Sequence, residues 1–324
     1  MEVFESLADL IGNTPVVHLK HFAEGCDNKL LGKCEFMNPG GSIKDRIALN
    51  MVEEAEKTGK LKAGGGIVEA TAGNTGIGLA LVAALKGYKL IAVMSEKVSK
   101  DKVNMLETLG AEAVVVPSGK KRNDPEHFMN KAISIAEKNS YWLADQFNNP
   151  SNIEAHYKTT AREIWRQTDG TIDVLVAGAG TGGTLTGCGR YLKEQKAEVK
   201  IVLADPVGSL LADLVGGRES EGSSYLVEGI GQDFVPGNLD TSIIDDVISV
   251  SDSDSIKAAK RLWEKEAMFV GSSSGCIAHA AVAYIEKHRL KDKTVMAILP
   301  DGGRSYISTI YNPEWLQKML PEFH

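Results

Sequence analysis

Asn38-Pro39-Gly40-Gly41-Ser42-Ile43-Lys44-Asp45-Arg46 is the stretch on which the reading of this chain turns. Two glycines and a serine end one segment. Beyond them Ile47, Ala48, Met51, Val52 and Ala55 recur at helical spacing as far as Gly59, which predicts a helix from about Lys44. Lys44 then stands in a first helical turn, where the macrodipole is positive and disfavours an ammonium. A lysine in an electropositive setting loses its proton more easily and becomes a nucleophile for a carbonyl, as in Schiff bases. The alternative is an ordinary solvated lysine, and the other glycine-rich motifs decide between the two.

Outward from this loop the chain alternates. Before it lie a turn at Leu10–Pro15, a short strand at Val16–Leu19 and a second strand at Lys29–Phe36. After it, strands are predicted at Ile67–Ala70, Lys89–Val93, Ala113–Val116 and Tyr141–Ala144, with helices at Gly73–Leu85, Lys100–Leu109 and Pro125–Lys138 between them. Such alternation means a parallel sheet with helices on both faces. A second series follows: helix Ala155–Gln167, strand Val174–Ala177, helix Thr181–Glu194, strand Lys200–Ala204, a Gly- and Ser-rich stretch Pro206–Gly237 read as loops, strand Val247–Val250, helices Asp252–Glu266 and Gly275–Lys287, and strand Thr294–Leu299. There is no internal repeat or low-complexity segment. The fold class is α/β: two open parallel or mixed sheets flanked by helices, with a cleft between two domains. Ligands in open α/β sheets sit at the carboxyl ends of strands.

Composition narrows the function classes. A chain of 324 residues is long enough for two domains with real cores. Hydrophobic residues at 43% and charged residues at 24% are globular values. The net charge is −7 with no basic block, so nucleic acid is not an expected partner. The start Met1-Glu-Val-Phe-Glu-Ser6 lacks the basic and apolar regions of a signal peptide, and no window of about 18 apolar residues exists. No membrane contact and a cytoplasmic location are the expectations. Cys26, Cys34, Cys188 and Cys276 are scattered, which reads as free thiols in a reducing compartment. His18, His21, His127, His156, His279, His288 and His324 show no metal-ligand spacing. They are given structural or surface roles, and no metal is expected.

Three further turns carry glycine or serine at strand-to-helix junctions. Gly178-Ala-Gly-Thr-Gly-Gly-Thr184 follows a strand and opens a helix. Backbone amides and the helix dipole make an anion site there, and the glycines let a phosphate approach. The run also matches the dinucleotide fingerprint GxGxxG literally, and Asp205 stands near the position of its acidic partner, so spacing alone does not exclude a nucleotide-binding module. Glu69-Ala-Thr-Ala-Gly-Asn-Thr-Gly76 is a second such turn, suited to a carboxylate or, alternatively, a turn capped by Asn or Thr. Gly271-Ser-Ser-Ser-Gly275 precedes another helix, where the hydroxyls cap it or meet a heteroaromatic nitrogen. Pro300-Asp-Gly-Gly-Arg304 closes the last strand.

A lysine nucleophile, a phosphate cradle, a carboxylate cradle and a serine turn together suit the holding of pyridoxal phosphate as an imine and the presentation of an amino acid to it. In this order, Pro39-Gly-Gly-Ser-Ile-Lys-Asp-Arg46, Ala72-Gly-Asn-Thr-Gly-Ile-Gly-Leu-Ala80 and Gly180-Thr-Gly-Gly-Thr-Leu-Thr-Gly187 resemble the β-family of pyridoxal-phosphate enzymes, fold type II, of which the tryptophan synthase β-chain is an example. Within that family the chain is similar to cysteine synthases and to the catalytic core of cystathionine β-synthases, from Leu10 to about Tyr306.

The resemblance implies roles, position by position. Lys44 carries the cofactor as an imine and later moves the α-proton. Asn74 bonds the ring hydroxyl, while Gly180, Thr181, Gly182, Gly183 and Thr184 hold the phosphate. Ser273 faces the pyridine nitrogen, where a hydroxyl, unlike an aspartate, does not keep the nitrogen protonated; Ser272 and Ser274 are its alternatives. Thr71, Ala72, Gly73, Thr75 and Gln146 surround the substrate carboxylate. Gly229, in the loop Glu228–Gly231, lies by the cofactor's edge. Asp233 acts on the second substrate or a thiol proton, or else caps its own turn, with Phe234 and Val235 anchoring its loop. The domains implied are a large cofactor-binding one, 1–43 with 150–324, and a small substrate-closing one, 44–149. A homodimer is implied as well.

The implied reaction is β-replacement or β-elimination on cysteine, serine or O-acetylserine through an aminoacrylate, giving cystathionine, cysteine or a related thioether; a cysteine β-lyase releasing hydrogen sulfide is the alternative. The chain departs from the family's usual serine at Ala72, which puts the first substrate in doubt. Val227-Glu-Gly-Ile-Gly-Gln-Asp-Phe-Val-Pro236 is nearer the cystathionine β-synthases than the cysteine synthases. Haem and regulatory-domain control are not expected.

Overall fold

The computed structural model of the chain describes every residue except 1, 2, 72, 219, 220, 322 and 324. In chain order its elements are β1 (Val16–His18), β2 (Lys29–Cys34), α1 (Lys44–Lys57), β3 (Gly66–Ala70), α2 (Asn74–Lys86), β4 (Lys89–Ser95), α3 (Lys100–Thr108), β5 (Glu112–Val116), α4 (Phe128–Asn139), β6 (Trp142–Leu143), α5 (Pro150–Ala155) and α6 (Ala161–Gln167). There follow β7 (Val174–Gly178), α7 (Gly183–Gln195), β8 (Lys200–Pro206), α8 (Leu211–Val215), β9 (Asp246–Val250), α9 (Asp252–Glu266), α10 (Ser272–His288), β10 (Thr294–Leu299) and α11 (Pro313–Met319). The class is α/β, with one parallel and one mixed sheet flanked by helices.

The chain divides into two units. The first is Asn38–Ala155 with the segment ending at Ile11; the second is Gly12–Met37 with the segment starting at His156.

The first unit is built on a parallel sheet in the order β5-β4-β3-β6. Its strands read as continuous apolar runs because both faces are covered. Ile67, Leu90, Ala92 and Met94 pack with Ile47 and Met51 of α1 and Leu79 and Val82 of α2. The alternate residues Val68, Ile91 and Val93 pack on the other face against Met129, Ala132 and Ala136 of α4. Successive strand side chains point to opposite faces, so adjacent residues of one strand serve two cores.

The second unit holds a six-stranded mixed sheet, β1-β2-β10-β7-β8-β9. Only the β1–β2 pair is antiparallel. On one face Leu30, Val176, Val202, Val295 and Ala297 pack with Ala278 and Ala281 of α10.

Several element boundaries differ from the sequence reading. The predicted helix Ala155–Gln167 is the end of α5, a π-helical turn His156–Thr160, and α6. Helix α7 begins at Gly183, not Thr181, because Gly182 has φ +84° and stands outside it. Helix α10 begins at Ser272, so the three serines form its first turn instead of preceding it. Within the stretch read as loops lies the short α8. Helix α11 escapes the sequence reading, although its signal is present: Asn312 accepts from the Glu314 and Trp315 amides and Pro313 takes the first helical position.

Candidate active site

In the first unit the lysine turn is closed by its own sequence. The Gly40 amide donates to Asp45 Oδ2 at 2.5 Å, and a Cβ on Gly40 would lie 2.5 Å from Oδ1 of the same carboxylate. Gly41 has φ +84°, a left-handed conformation that suits glycine. Lys44 is the first residue of α1 and half-buried, and its amide donates to Ser42 Oγ at 3.2 Å. Its backbone is fixed from the other side by α2. At Gly78 a Cβ would lie 3.1 Å from the Lys44 carbonyl oxygen and 3.1 Å from Ala48 Cβ. The glycine therefore lets the two helices approach at the lysine.

The second turn in this unit joins β3 to α2. Gly73 is the N-cap of α2, with no side chain capping it. The sequence reading allows Asn or Thr as the cap; neither caps α2. The Gly73 amide donates to Thr71 Oγ1 at 3.3 Å. Asn74 is the first helical residue and half-buried. Ala72 lies outside the described residues.

Thr75 and Gln146 meet although they are far apart in sequence: Thr75 Oγ1 donates to Gln146 Oε1 at 2.6 Å. Gln146 in turn donates through Nε2 to Glu69 Oε1 at 3.1 Å and through its amide to Glu69 Oε2 at 3.3 Å. Glu69 is 1% exposed, and burial pushes its carboxyl up to about 8 against the lowering effect of the Gln146 hydrogen bonds. Glu69 is a residue the sequence reading misses. Its only sequence signal is its place at the end of an otherwise apolar buried strand, just before the turn.

In the second unit the glycine turn runs from β7 into α7. Gly182 is the N-cap, again with no side-chain cap. The loop Glu228–Gly231 lies against this turn. The Gly231 amide donates to the Ala179 carbonyl at 2.9 Å, and a Cβ on Gly180 would lie 2.3 Å from the Gly229 carbonyl oxygen. A Cβ on Gly182 would lie 2.7 Å from the Leu239 backbone. Glycine is therefore required at Gly180 and Gly182 by close approach. Thr181 and Gly183 are buried; Thr184 is half-buried, and its hydroxyl meets the ring of the buried His156.

The serine turn in the same unit differs from the expectation. Gly271 is the N-cap of α10 with no side-chain cap, so the hydroxyls do not cap the helix. Ser272 Oγ accepts from the Glu228 amide at 3.1 Å. Ser273 is 2% exposed and points its hydroxyl at Asp301 Oδ1, 3.5 Å away. Asp233 is exposed, and its carboxylate makes no hydrogen bond among the described residues. Val235 is 54% exposed. The apolar anchoring expected of it does not occur, because the loop leaves it on the surface.

Helices α1, α2, α7 and α10 thus all start at an N-cap residue whose side chain caps nothing. By contrast α4, α9 and α11 are capped by His127, Ser251 and Asn312; α3, α6 and α8 also lack a side-chain cap.

A family profile described as pyridoxal-phosphate dependent enzyme matches residues 7–301. Cystathionine beta-synthase of Apis mellifera is 44% identical over 320 residues, covering 98% of this chain and 63% of that protein. Cystathionine beta-synthase of Rattus norvegicus is 46% identical over 310 residues, covering 94% and 55%. The chain spans between half and two thirds of the length of these relatives. The crystal structure of O-ureido-L-serine synthase is similar with a TM-score of 0.88 and 37% identity, covering 98% of this chain and 96% of that one.

Proposed function

The chain belongs to the pyridoxal-phosphate dependent enzymes, and on that premise we propose that it catalyses β-replacement on cysteine, serine or O-acetylserine, forming cystathionine, cysteine or a related thioether. Pyridoxal phosphate is the cofactor of the family, and the residues present fit it. The turn Gly180–Thr184 opens α7 with no capping side chain, and a helix start of this kind suits a phosphate.

Bound there, the cofactor supplies an electron sink that lets the Cα–H bond ionise and the β-substituent leave. The protein's residues do the rest. Gly180, Thr181, Gly182, Gly183 and Thr184 bind the phosphate, Asn74 bonds the ring hydroxyl and Ser273 meets the ring nitrogen. Gly229 borders the cofactor's edge. Lys44 Nζ holds the cofactor covalently and then accepts the α-proton. Thr71, Gly73, Thr75 and Gln146 take the substrate carboxylate, with Ala72 as a further contact. Asp233 serves the incoming thiol substrate. The stretch 44–149 is assigned the mobile, substrate-closing role, and 1–43 with 150–324 the cofactor-binding one. The working form is taken to be a cytoplasmic homodimer; the homodimer rests on the resemblance, the location on the scattered cysteines. Among the described residues no helix is long and apolar enough to cross a membrane.

The observation that supports this reading is that the four motifs each open a helix, α1, α2, α7 and α10, with Lys44 the first residue of α1. Two experiments test it. Purified protein is expected to show a visible cofactor band that Lys44→Ala loses; a band unchanged in that variant overturns the site. Cysteine with homocysteine is expected to give a thioether by mass. Sulfide and pyruvate from cysteine, with no thioether when homocysteine is present, would favour the β-lyase reading.

A further inference from the structure

Glu69 is the fourth residue of β3, whose five residues are all buried, and Ile67, Val68 and Ala70 surround it along the strand. A carboxyl group in such a strand is costly unless it is hydrogen-bonded. Both of its oxygens accept from one residue. The Gln146 amide donates to Oε2 at 3.3 Å, and Gln146 Nε2 donates to Oε1 at 3.1 Å. A carboxyl oxygen keeps lone pairs to accept with whether the group is ionised or protonated, so this grip holds in either state.

The grip fixes which way the Gln146 side chain faces. Nε2 also lies 3.4 Å from the Ala70 carbonyl oxygen, a group that can only accept. With its nitrogen turned to β3, the side chain presents Oε1 to the Thr75 hydroxyl at 2.6 Å. Thr75 is the second residue of α2 and 2% exposed. The Gln146 main chain is fixed as well, since Asn152 Nδ2 donates to its carbonyl at 2.8 Å.

We infer that Glu69 is a positioning residue for substrate recognition: acting through Gln146, it holds Gln146 and Thr75 in the arrangement that selects an amino acid by its carboxylate. The inference rests on the assignment of Gln146 and Thr75 to that carboxylate in the proposed function. Glu69 is 1% exposed and stands behind Gln146, so it acts on the ligand through that residue. Polar groups held in place before the ligand arrives need not be ordered by it, and affinity gains by the difference. Without the grip the Gln146 side chain can turn end for end, and Thr75 then meets a nitrogen in place of an acceptor.

The test uses holoenzyme and two ligands that differ at the carboxylate, L-serine and L-serinamide. Each is titrated by the change it makes in the visible band, and the quantity read is the ratio of the two dissociation constants. The wild type is expected to prefer serine. Glu69→Gln keeps the size of the side chain but turns one acceptor oxygen into an NH2 group facing a donor of Gln146. It is expected to lower the preference by at least about fivefold, as the loss of one hydrogen bond does. Glu69→Asp withdraws the carboxyl from Gln146 by one methylene; it is expected to act in the same direction and gives the reading should Glu69→Gln not fold. Gln146→Ala is expected to lower the preference too, and Glu69→Gln added to it should change the ratio no further. A merely structural Glu69 would lower the melting temperature of its variants and leave the ratio at the wild-type value, which overturns the inference. Losses that add in the double variant overturn it as well, since Glu69 would then not act through Gln146. A changed ratio in Gln146→Ala with an unchanged one in both Glu69 variants sinks Glu69 alone. A wild type without the preference, or a Gln146→Ala protein that keeps it, removes the carboxylate from this turn and sinks that part of the proposed function along with the inference.

Discussion

His156 Nε2 lies 3.1 Å from Thr184 Oγ1, and Nδ1 of the same ring lies 3.0 Å from Thr160 Oγ1. The ring is 1% exposed and sits in the π-helical turn His156–Thr160; such turns recur at functional sites. In the tautomer with its proton on Nε2, the ring accepts from Thr160 at Nδ1 and donates to Thr184. The Thr184 hydroxyl proton is then left for an anion in the turn Gly180–Thr184.

His156→Ala is therefore expected to weaken cofactor binding by roughly fivefold, the equivalent of about 1 kcal/mol for one hydrogen bond. The 31P signal of the bound phosphate should shift, and His156→Gln should restore part of the affinity. An unchanged 31P signal with a lowered melting temperature would leave His156 a packing residue only.

Glu69 predicts a pH dependence. Its folded value of about 8 stands above the ordinary value of 4.5, so the folded state keeps a proton that the unfolded state has lost between those two values. Stability from this group is full below the lower value and is lost as pH rises toward the upper one, at about 1.4 kcal/mol per pH unit. Between about pH 5.5 and 7.5, urea unfolding of the wild type should lose about 3 kcal/mol more than Glu69→Gln loses. Equal losses in the two proteins would show that Glu69 is not protonated in the fold.

Lys33 predicts a large stability effect. It is fully buried, and its ammonium donates to Glu163 Oε2 at 2.7 Å, the Thr14 carbonyl at 2.7 Å and Gln167 Oε1 at 2.9 Å. Glu163→Ala leaves a buried charge without its counter-ion and is expected to cost about 3–5 kcal/mol. Chemical denaturation measures it; a loss below about 1 kcal/mol, on the order of a surface pair, would mean that water reaches Lys33.

Asp233→Asn tests the second substrate. Because Asp233 is exposed, a charge contact there is worth on the order of 1 kcal/mol or less. The thiol half-reaction should slow by at most about fivefold, with the first half-reaction on O-acetylserine unchanged. Stopped-flow spectra separate the halves. Equal slowing of both, or none in either, removes Asp233 from the site.

Much of the fold was legible along the chain. The parallel sheets followed from apolar runs separated by helix-period segments, because a strand buried on both faces has no polar alternation to hide it. Helix α9 and strand β10 have the bounds that capping and periodicity gave, with Ser251 accepting from the Asp254 amide at the start of α9. The turns at Gly40–Gly41 and Gly180–Gly182 were legible because glycine there answers a local backbone need or a close approach. The π turn was not, since it adds a residue to a helical turn without changing the residue types that favour a helix. Asp233 lies at the surface for a related reason: Phe234 and Val235 are apolar, but apolarity does not say which face of a loop is covered.

By itself the sequence determined the α/β class and the chain positions of the four motif-bearing turns. It also marked the lysine at the head of α1. Those are properties of neighbours within about five residues, where periodicity, glycine conformations and helix dipoles act. Only the tertiary structure decided what stands behind each turn: Glu69 behind Gln146, His156 behind Thr184, and Asp301 with Tyr306 behind Ser273. These partners are separated by 77, 28 and 28 residues from the groups they touch. A buried polar side chain must find a hydrogen-bond partner, and in a folded core that partner is chosen by proximity in space. The order of residues along the chain does not contain those contacts.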